Sequence, residues 1–233
     1  MNKRSVFASV ILGVCFPVMV LLTALQFGIF DKGFFTSELE YNRVALHTGI
    51  TREGLSEVTD EIFAYLKGDR PDFNIRAEIR GVDQPIFNDD EITHMKDVLF
   101  LYRVACGVWM VSAALTILTV ILLLFWRRIG IARGIFWGSM WMLLLLFLLG
   151  LAGFLDFTAV FEGAHRLIFT NDLWYLDPRE SVLINIVPEH YFIMLCLRIA
   201  LYTAGTLVLT AVVCGLVMRR HRKQTLRLRN RKF

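Results

Sequence analysis

Four stretches of this 233-residue chain, 6–30, 98–126, 131–154 and 192–218, are apolar for longer than most soluble folds allow. Each exceeds the roughly 18 to 20 residues that cross a hydrocarbon core of ~30 Å. A segment in lipid must satisfy its own backbone hydrogen bonds, so each is expected to be a helix. These blocks explain why 56% of the residues are apolar and 13% aromatic, a composition that excludes an ordinary soluble domain. The expected fold class is an all-α polytopic membrane protein, with four transmembrane helices and a small α+β extracytoplasmic cap.

Charge placement orients such a chain, because Lys and Arg near span ends are retained in the cytoplasm. Lys3 and Arg4 precede the first apolar block, Arg127, Arg128 and Arg133 surround the joint between the second and third, and eight basic residues fill 219–232. Every Asp and Glu lies between Asp31 and Glu189. Both termini are therefore expected in the cytoplasm and both larger loops outside. Immediately after a span, a basic tail orients the chain and attracts anionic lipid headgroups, and nucleic acid is not expected as a partner. Cys15, Cys106, Cys196 and Cys214 all fall within apolar blocks, leaving packing rather than disulfides to hold the loops.

The expected organisation is a first membrane helix over 1–30, a cap segment over 31–97, and spans over 98–126 and 131–154. A second outer segment over 155–191, a last span over 192–218 and a basic tail over 219–233 complete it. The first block is longer than a secretory signal core and lacks a small-x-small cleavage site, so it is expected to stay as a span; Pro17 should kink it. In the cap, 51–67 places Leu55, Val58, Ile62 and Leu66 on one helical stripe, with Gly68 to end it. The alternation of Phe73, Ile75, Ala77 and Ile79 predicts a short strand over 72–80. Asn88 is placed to cap a helix whose third residue is Glu91, and which continues through His94 into the second span. The run 182–187 is too short to span and reads as a buried or interfacial connector closed by Pro188.

Two histidines stand at the edges of apolar blocks. His94 has Glu91 one turn before it and Asp97 one turn after. His165 ends a series in which Phe154, Phe157 and Phe161 recur at helical spacing, so one face should present three rings and then an imidazole. Glu162 and Arg166 pair on an adjacent strip. Beyond His165 come Phe169, Asn171, Asp172, Trp174 and Asp177, in a turn-rich stretch whose aromatics suit a membrane interface. An imidazole is the side chain best matched to take a proton from an amine near neutral pH, and a carboxylate such as Asp97 or Asp172 can hold it in one tautomer. Glu91, Asp97, Asn171, Asp172 and Asp177 equally suit capping and tying of segments. Arg198 lies well inside the last span as a functional or structural partner, while His47, His190 and His221 lack comparable settings.

No G-x-S-x-G, H-E-x-x-H or C-x-x-C motif and no phosphate-binding glycine loop is present. Instead, PIFNDDEITHMKDV before a span, and the pattern H-x-x-x-F-x-N-D-x-W-x-L-D-P-x-x-x-x-L-I-x-x-x-P-E-x-x-F over 165–192, together resemble the bacterial lipoprotein intramolecular transacylases. That resemblance extends over nearly the whole chain. It implies a diacylglyceryl lipoprotein as substrate within the bilayer, and transfer of its sn-2 acyl chain to the α-amino group of the lipidated N-terminal cysteine, giving a lyso-form lipoprotein. It also implies that His94 and His165 are the catalytic pair, with no cofactor and no metal. Phe154, Phe157, Phe161, Phe169 and Trp174 would wall off water. Two other readings compete: a metal-dependent hydrolase with His94, Asp97 and His165 as ligands, and a non-enzymatic scaffold or sensor.

Overall fold

The computed structural model describes residues 3–230, except the side chain of Arg229; Met1, Asn2 and the last three residues of the basic tail lie outside the described residues. Among the described residues, four helices are long and apolar enough to cross a membrane: α1 (Lys3–Ile29), α5 (Asp89–Trp126), α6 (Ile129–Leu155) and α9 (Glu189–Asn230). Between them lie α2 (Lys32–Tyr41), α3 (Val44–Thr48), α4 (Arg52–Lys67), strands β1 (Arg76–Ile79) and β2 (Val82–Pro85), α7 (Phe157–Ile168) and α8 (Val182–Ile186). The chain divides into two compact units, one of residues 1–25, 106–151 and 199–233 and the other of residues 26–105 and 152–198.

In the first unit, α1 packs closely against α6 because both carry small residues where they meet. Gly130, Gly134 and Gly138 recur every fourth residue on one face of α6. A Cβ at Gly134 would fall 2.6 Å from the Ser9 carbonyl oxygen, and one at Gly138 would fall 2.8 Å from the Gly13 Cα. Lipid tails are as apolar as leucine, so close van der Waals contact and buried hydrogen bonds replace the hydrophobic effect between such helices. Trp141 Nε1 donates to the Gly13 carbonyl at 2.8 Å, and Trp109 Nε1 to Thr23 Oγ1 at 2.9 Å. Around this seam Ala8, Leu12 and Leu123 form a buried cluster, with Phe16, Val120, Ile131 and Ile135 against it. The joint between α5 and α6 is two residues, Arg127 and Arg128, and α1 continues as one helix through Pro17.

The second unit is built from polar starts and aromatic contacts. Asp31 caps α2 by accepting from the Phe34 N–H, and Thr51 caps α4 by accepting from the Gly54 N–H. Gly68 closes α4 at φ +87°, as its position predicts. The expected strand is shorter than 72–80 and has a partner: β1 pairs antiparallel with β2 through a two-residue turn in which Arg80 and Gly81 both have positive φ, 52° and 87°. Phe73 and Ile75 precede the strand instead of belonging to it, and both are buried, Phe73 stacked on Phe87 at 4.6 Å. Arg198, within α9, pairs with Asp31 and lies over the Phe34 ring at 4.5 Å, so its charge ties α9 to the start of α2.

Gly138→Leu should overpack the α1–α6 seam. Overpacking typically costs about 1–3 kcal/mol, and here the obstacle is backbone, which cannot rotate aside. The expected outcome is a lower Tm of the detergent-solubilised protein, with Gly150→Leu, where nothing lies within 4 Å of an added Cβ, unchanged.

Candidate active site

The site is assembled on the first turns of α5. Asn88 precedes that helix; its Oδ1 accepts from the Glu91 N–H at 2.9 Å, and Glu91 Oε2 accepts from the Asn88 N–H at 2.6 Å. The first bond is the cap predicted from the sequence, and the second completes a reciprocal capping box. Glu91 does more, because its other oxygen, Oε1, accepts from Ser181 Oγ at 2.6 Å and from the Leu183 N–H at 2.7 Å. The side chain is almost wholly buried, and three donors converge on its carboxylate because α8 begins beside it. Ser181 in turn caps α8, its Oγ accepting from the Ile184 N–H. A carboxylate this buried is tolerable only when its lone pairs are occupied by donors.

One turn further along α5, His94 is 8% exposed, and its Nδ1 has no hydrogen-bond partner among the described residues. Four residues ahead of the apolar run, this ring has its pKa lowered from 6.5 to about 4. Burial is the main cause, the neighbouring His165 lowers it further, and the Asp97 carboxylate partly opposes both. His94 is therefore a neutral imidazole at neutral pH.

His165 comes from α7, which the sequence places in line with α6 but the structure sets apart. Asp156 interrupts the run, and its Oδ1 accepts from the Ala159 N–H, starting α7 as a new helix. The expected series of three rings is thereby cut. Phe154 remains on α6 and is 86% exposed, so it forms no wall of the site. Phe157 stacks on Phe161 at 5.9 Å, and Phe161 meets the His165 ring at 4.1 Å. His165 Nδ1 lies 2.7 Å from the Phe161 carbonyl oxygen. A carbonyl can only accept, so Nδ1 carries the hydrogen and Nε2 of the neutral ring keeps a lone pair.

The two imidazoles approach to 6.4 Å between ring centroids, although 71 residues separate them. Phe169 touches both, at 5.1 Å from His94 and 5.5 Å from His165, and the buried Trp174 lies 5.2 Å from His165. A proton-accepting nitrogen and a neutral buried imidazole thus share one aromatic enclosure, a combination that serves proton transfer in a place poor in water.

The family model for lipoprotein intramolecular transacylase Lit matches residues 10–192. The chain belongs to the Lit family. No curated protein matches the chain. Among solved structures, the membrane-integral Lit of Bacillus cereus is similar in fold, with a TM-score of 0.77 at 17% identity over 97% of this chain and 99% of that one. Two variants of that protein, with one histidine replaced by Ala or by Arg, have TM-scores of 0.75; identities are 17% and 16%, and coverage is 95% and 96% of this chain and 97% and 96% of theirs.

The remaining residues singled out by the Lit-like motifs divide into those near the histidines and those engaged elsewhere. Asp97 does not orient an imidazole by hydrogen bonding: its Oδ2 accepts from Asn171 Nδ2 at 2.9 Å, which ties the loop after α7 to α5. Asn171 Oδ1 also accepts from the Leu173 N–H, shaping the turn that delivers Trp174. Asp172 is exposed and contributes its backbone carbonyl to the Tyr175 N–H, so it holds neither ring. Asp177 closes a local turn, its Oδ1 accepting from the Arg179 N–H. Arg166 is exposed and paired with Glu162 at 2.9 Å. No group of three or more His, Cys, Asp or Glu side chains is placed to hold a metal ion among the described residues. Sequence reasoning missed Ser181 and the Leu183 N–H as partners of Glu91. It also missed Phe192, 5.1 Å from Phe161, although that residue closes the second motif.

Two outcomes follow. Glu91→Ala strands the Ser181 hydroxyl and two backbone N–H groups, at about 1–3 kcal/mol each. It should lower Tm and speed hydrogen exchange across 181–186. Because the unfolded His94 ring binds a proton near pH 6.5 and the buried ring only near 4, its contribution to stability is full above pH 6.5 and is lost as pH falls toward 4. NMR of a ring-labelled sample should show His94 unprotonated from pH 8 to 5.5, with His94→Gln flattening the fall in Tm over the acid range.

Proposed function

We propose that this chain performs the intramolecular reaction implied by its family: the sn-2 acyl chain of a diacylglyceryl lipoprotein moves to the α-amino group of the lipidated N-terminal cysteine, giving the lyso form. The observation that carries this reading is the pairing of two imidazoles across Phe169, one buried and the other with Nδ1 held on the Phe161 carbonyl. The charge distribution supports a site on the extracytoplasmic face with both termini in the cytoplasm.

The amine nitrogen attacks the ester carbonyl, forming the N–C bond as its proton passes to His165 Nε2. His94 stays neutral and offers an N–H to the oxyanion of the tetrahedral intermediate. The ester C–O bond then breaks, its electron pair remains on the glyceryl oxygen, and His165 returns the proton to that oxygen. One proton is borrowed and restored, and nothing else is consumed. Donor and acceptor belong to one molecule, so holding them in reacting geometry can contribute up to roughly 7–11 kcal/mol, more than either imidazole alone. Phe161, Phe169 and Trp174 keep out water, which would divert the ester to hydrolysis.

Mass spectrometry of lipoproteins from cells lacking this chain, and after its return, tests the proposal. The lyso form should appear on return. It should fall by about 10²–10⁴-fold in rate with His165→Ala, the loss of a general base, and substantially with His94→Ala. Unchanged lipoproteins, or lyso form made undiminished by both variants, would refute it.

A further inference from the structure

α7 has no buried residue, yet it is mostly apolar. Its four i, i+4 rows explain why. One row is Phe157, Phe161 and His165, turned to the site. The next is Thr158, Glu162 and Arg166, where Thr158 donates to Glu189 and Arg166 pairs with Glu162. The remaining two, Ala159–Gly163–Leu167 and Val160–Ala164–Ile168, carry no polar group, and Leu167 is 86% and Ile168 50% exposed.

This uncovered face follows a span at once in the chain. α6 reaches Leu155, and only Asp156 separates it from α7; Phe154 and Leu155, the last two residues of α6, are themselves 86% and 76% exposed. Beyond the other end stands Tyr175, 72% exposed, an aromatic type favoured where hydrocarbon meets water. A helix with one polar row, beginning one residue after a membrane-crossing helix, fits the boundary between acyl chains and headgroups. A site for another protein would leave unexplained why the exposed apolar residues begin with the last two of a span.

We infer that α7 lies in the plane of the bilayer surface, with its Leu167 and Ile168 rows seated on lipid acyl chains and its Glu162–Arg166 row in the headgroup layer. The reactive row then runs along the line where these two environments meet. An amphiphile with its tails in the hydrocarbon and its head in the interface would reach His165 without leaving the bilayer. The inference concerns the lipid contact itself and stands whether or not the acyl-transfer reading does.

A photoreactive diazirine residue placed at 167, in the full chain reconstituted into phosphatidylcholine–phosphatidylglycerol vesicles, tests it independently of turnover. Adducts with acyl chains should be several-fold more abundant at 167 than at 166, and comparable with those at 154; water adducts should follow the opposite order. Equal water capture at 166 and 167, or crosslinks from 167 to a second copy of the chain, would overturn the inference. Thermal melts of each labelled protein confirm that it is folded, and Ile168 carrying the same probe gives a second reading if the 167 variant is not.

Discussion

The buried carboxylate of Glu91 is the interaction on which the site depends. It accepts from Asn88 at the start of α5 and from Ser181 and Leu183 at the start of α8, so one side chain fixes the beginnings of two helices that are far apart in the chain. His94 rides on the first of these helices. The segment closing on the second, 169–181, carries the Phe169 and Trp174 rings that enclose the imidazoles. Moving such a carboxylate out of water is unfavourable unless donors meet it, and meeting it requires α8 to start in one place only. Local capping, long-range tethering and placement of the ring are consequences of the same group.

The division between the histidines has a similarly local origin. His165 sits in the last turn of its helix, where a side chain can reach back to the carbonyl four residues earlier; this holds one nitrogen as a donor and frees the other. His94 sits four residues before an apolar run, and burial there disfavours the charged ring. The chain therefore needs no carboxylate on either imidazole to make them different. Asp97, whose carboxylate accepts from Asn171, acts on His94 only through space and in the direction opposite to burial.

Much of this architecture was legible in the residues. Apolar length specified four spans, period and cap residues specified α4 and the start of α5, and the two motifs singled out His94 and His165. What failed was extrapolation of a period through a break. Phe154 keeps helical spacing with Phe157 and Phe161, yet Asp156 is a strong N-cap type followed by Phe157, Thr158 and Ala159, and it restarts the helix. Other features had no local signal at all: Ser181 and Leu183 find Glu91 across 90 and 92 positions, and Asn171 finds Asp97 across 74. Spacing can tell which residues share a face. It cannot tell which distant donor will arrive above that face.

With no cysteine outside the apolar blocks, the non-spanning part of the second unit must be held by other means, and the structure shows which. Phe34 and Phe35 both contact Tyr191, Phe35 also meets Phe63, and Phe30 meets Phe63 and Tyr102, each at 5.1–5.6 Å. Beside them Arg198 pairs with Asp31, and His190 with Glu38 at 2.9 Å while stacking on Tyr41. The magnitudes separate the roles. A part-exposed ion pair such as Arg198–Asp31 contributes about 0–1 kcal/mol, whereas each large ring fully buried contributes about 1.5–3 kcal/mol and each aromatic pair about 0.5–1.5 kcal/mol more. Adhesion thus belongs to the rings. The charged partners serve register: Asp31 both caps α2 and receives Arg198, so α2 is tied to α9 in a single alignment, and an arginine within an apolar helix is satisfied by the residue that begins the segment it holds.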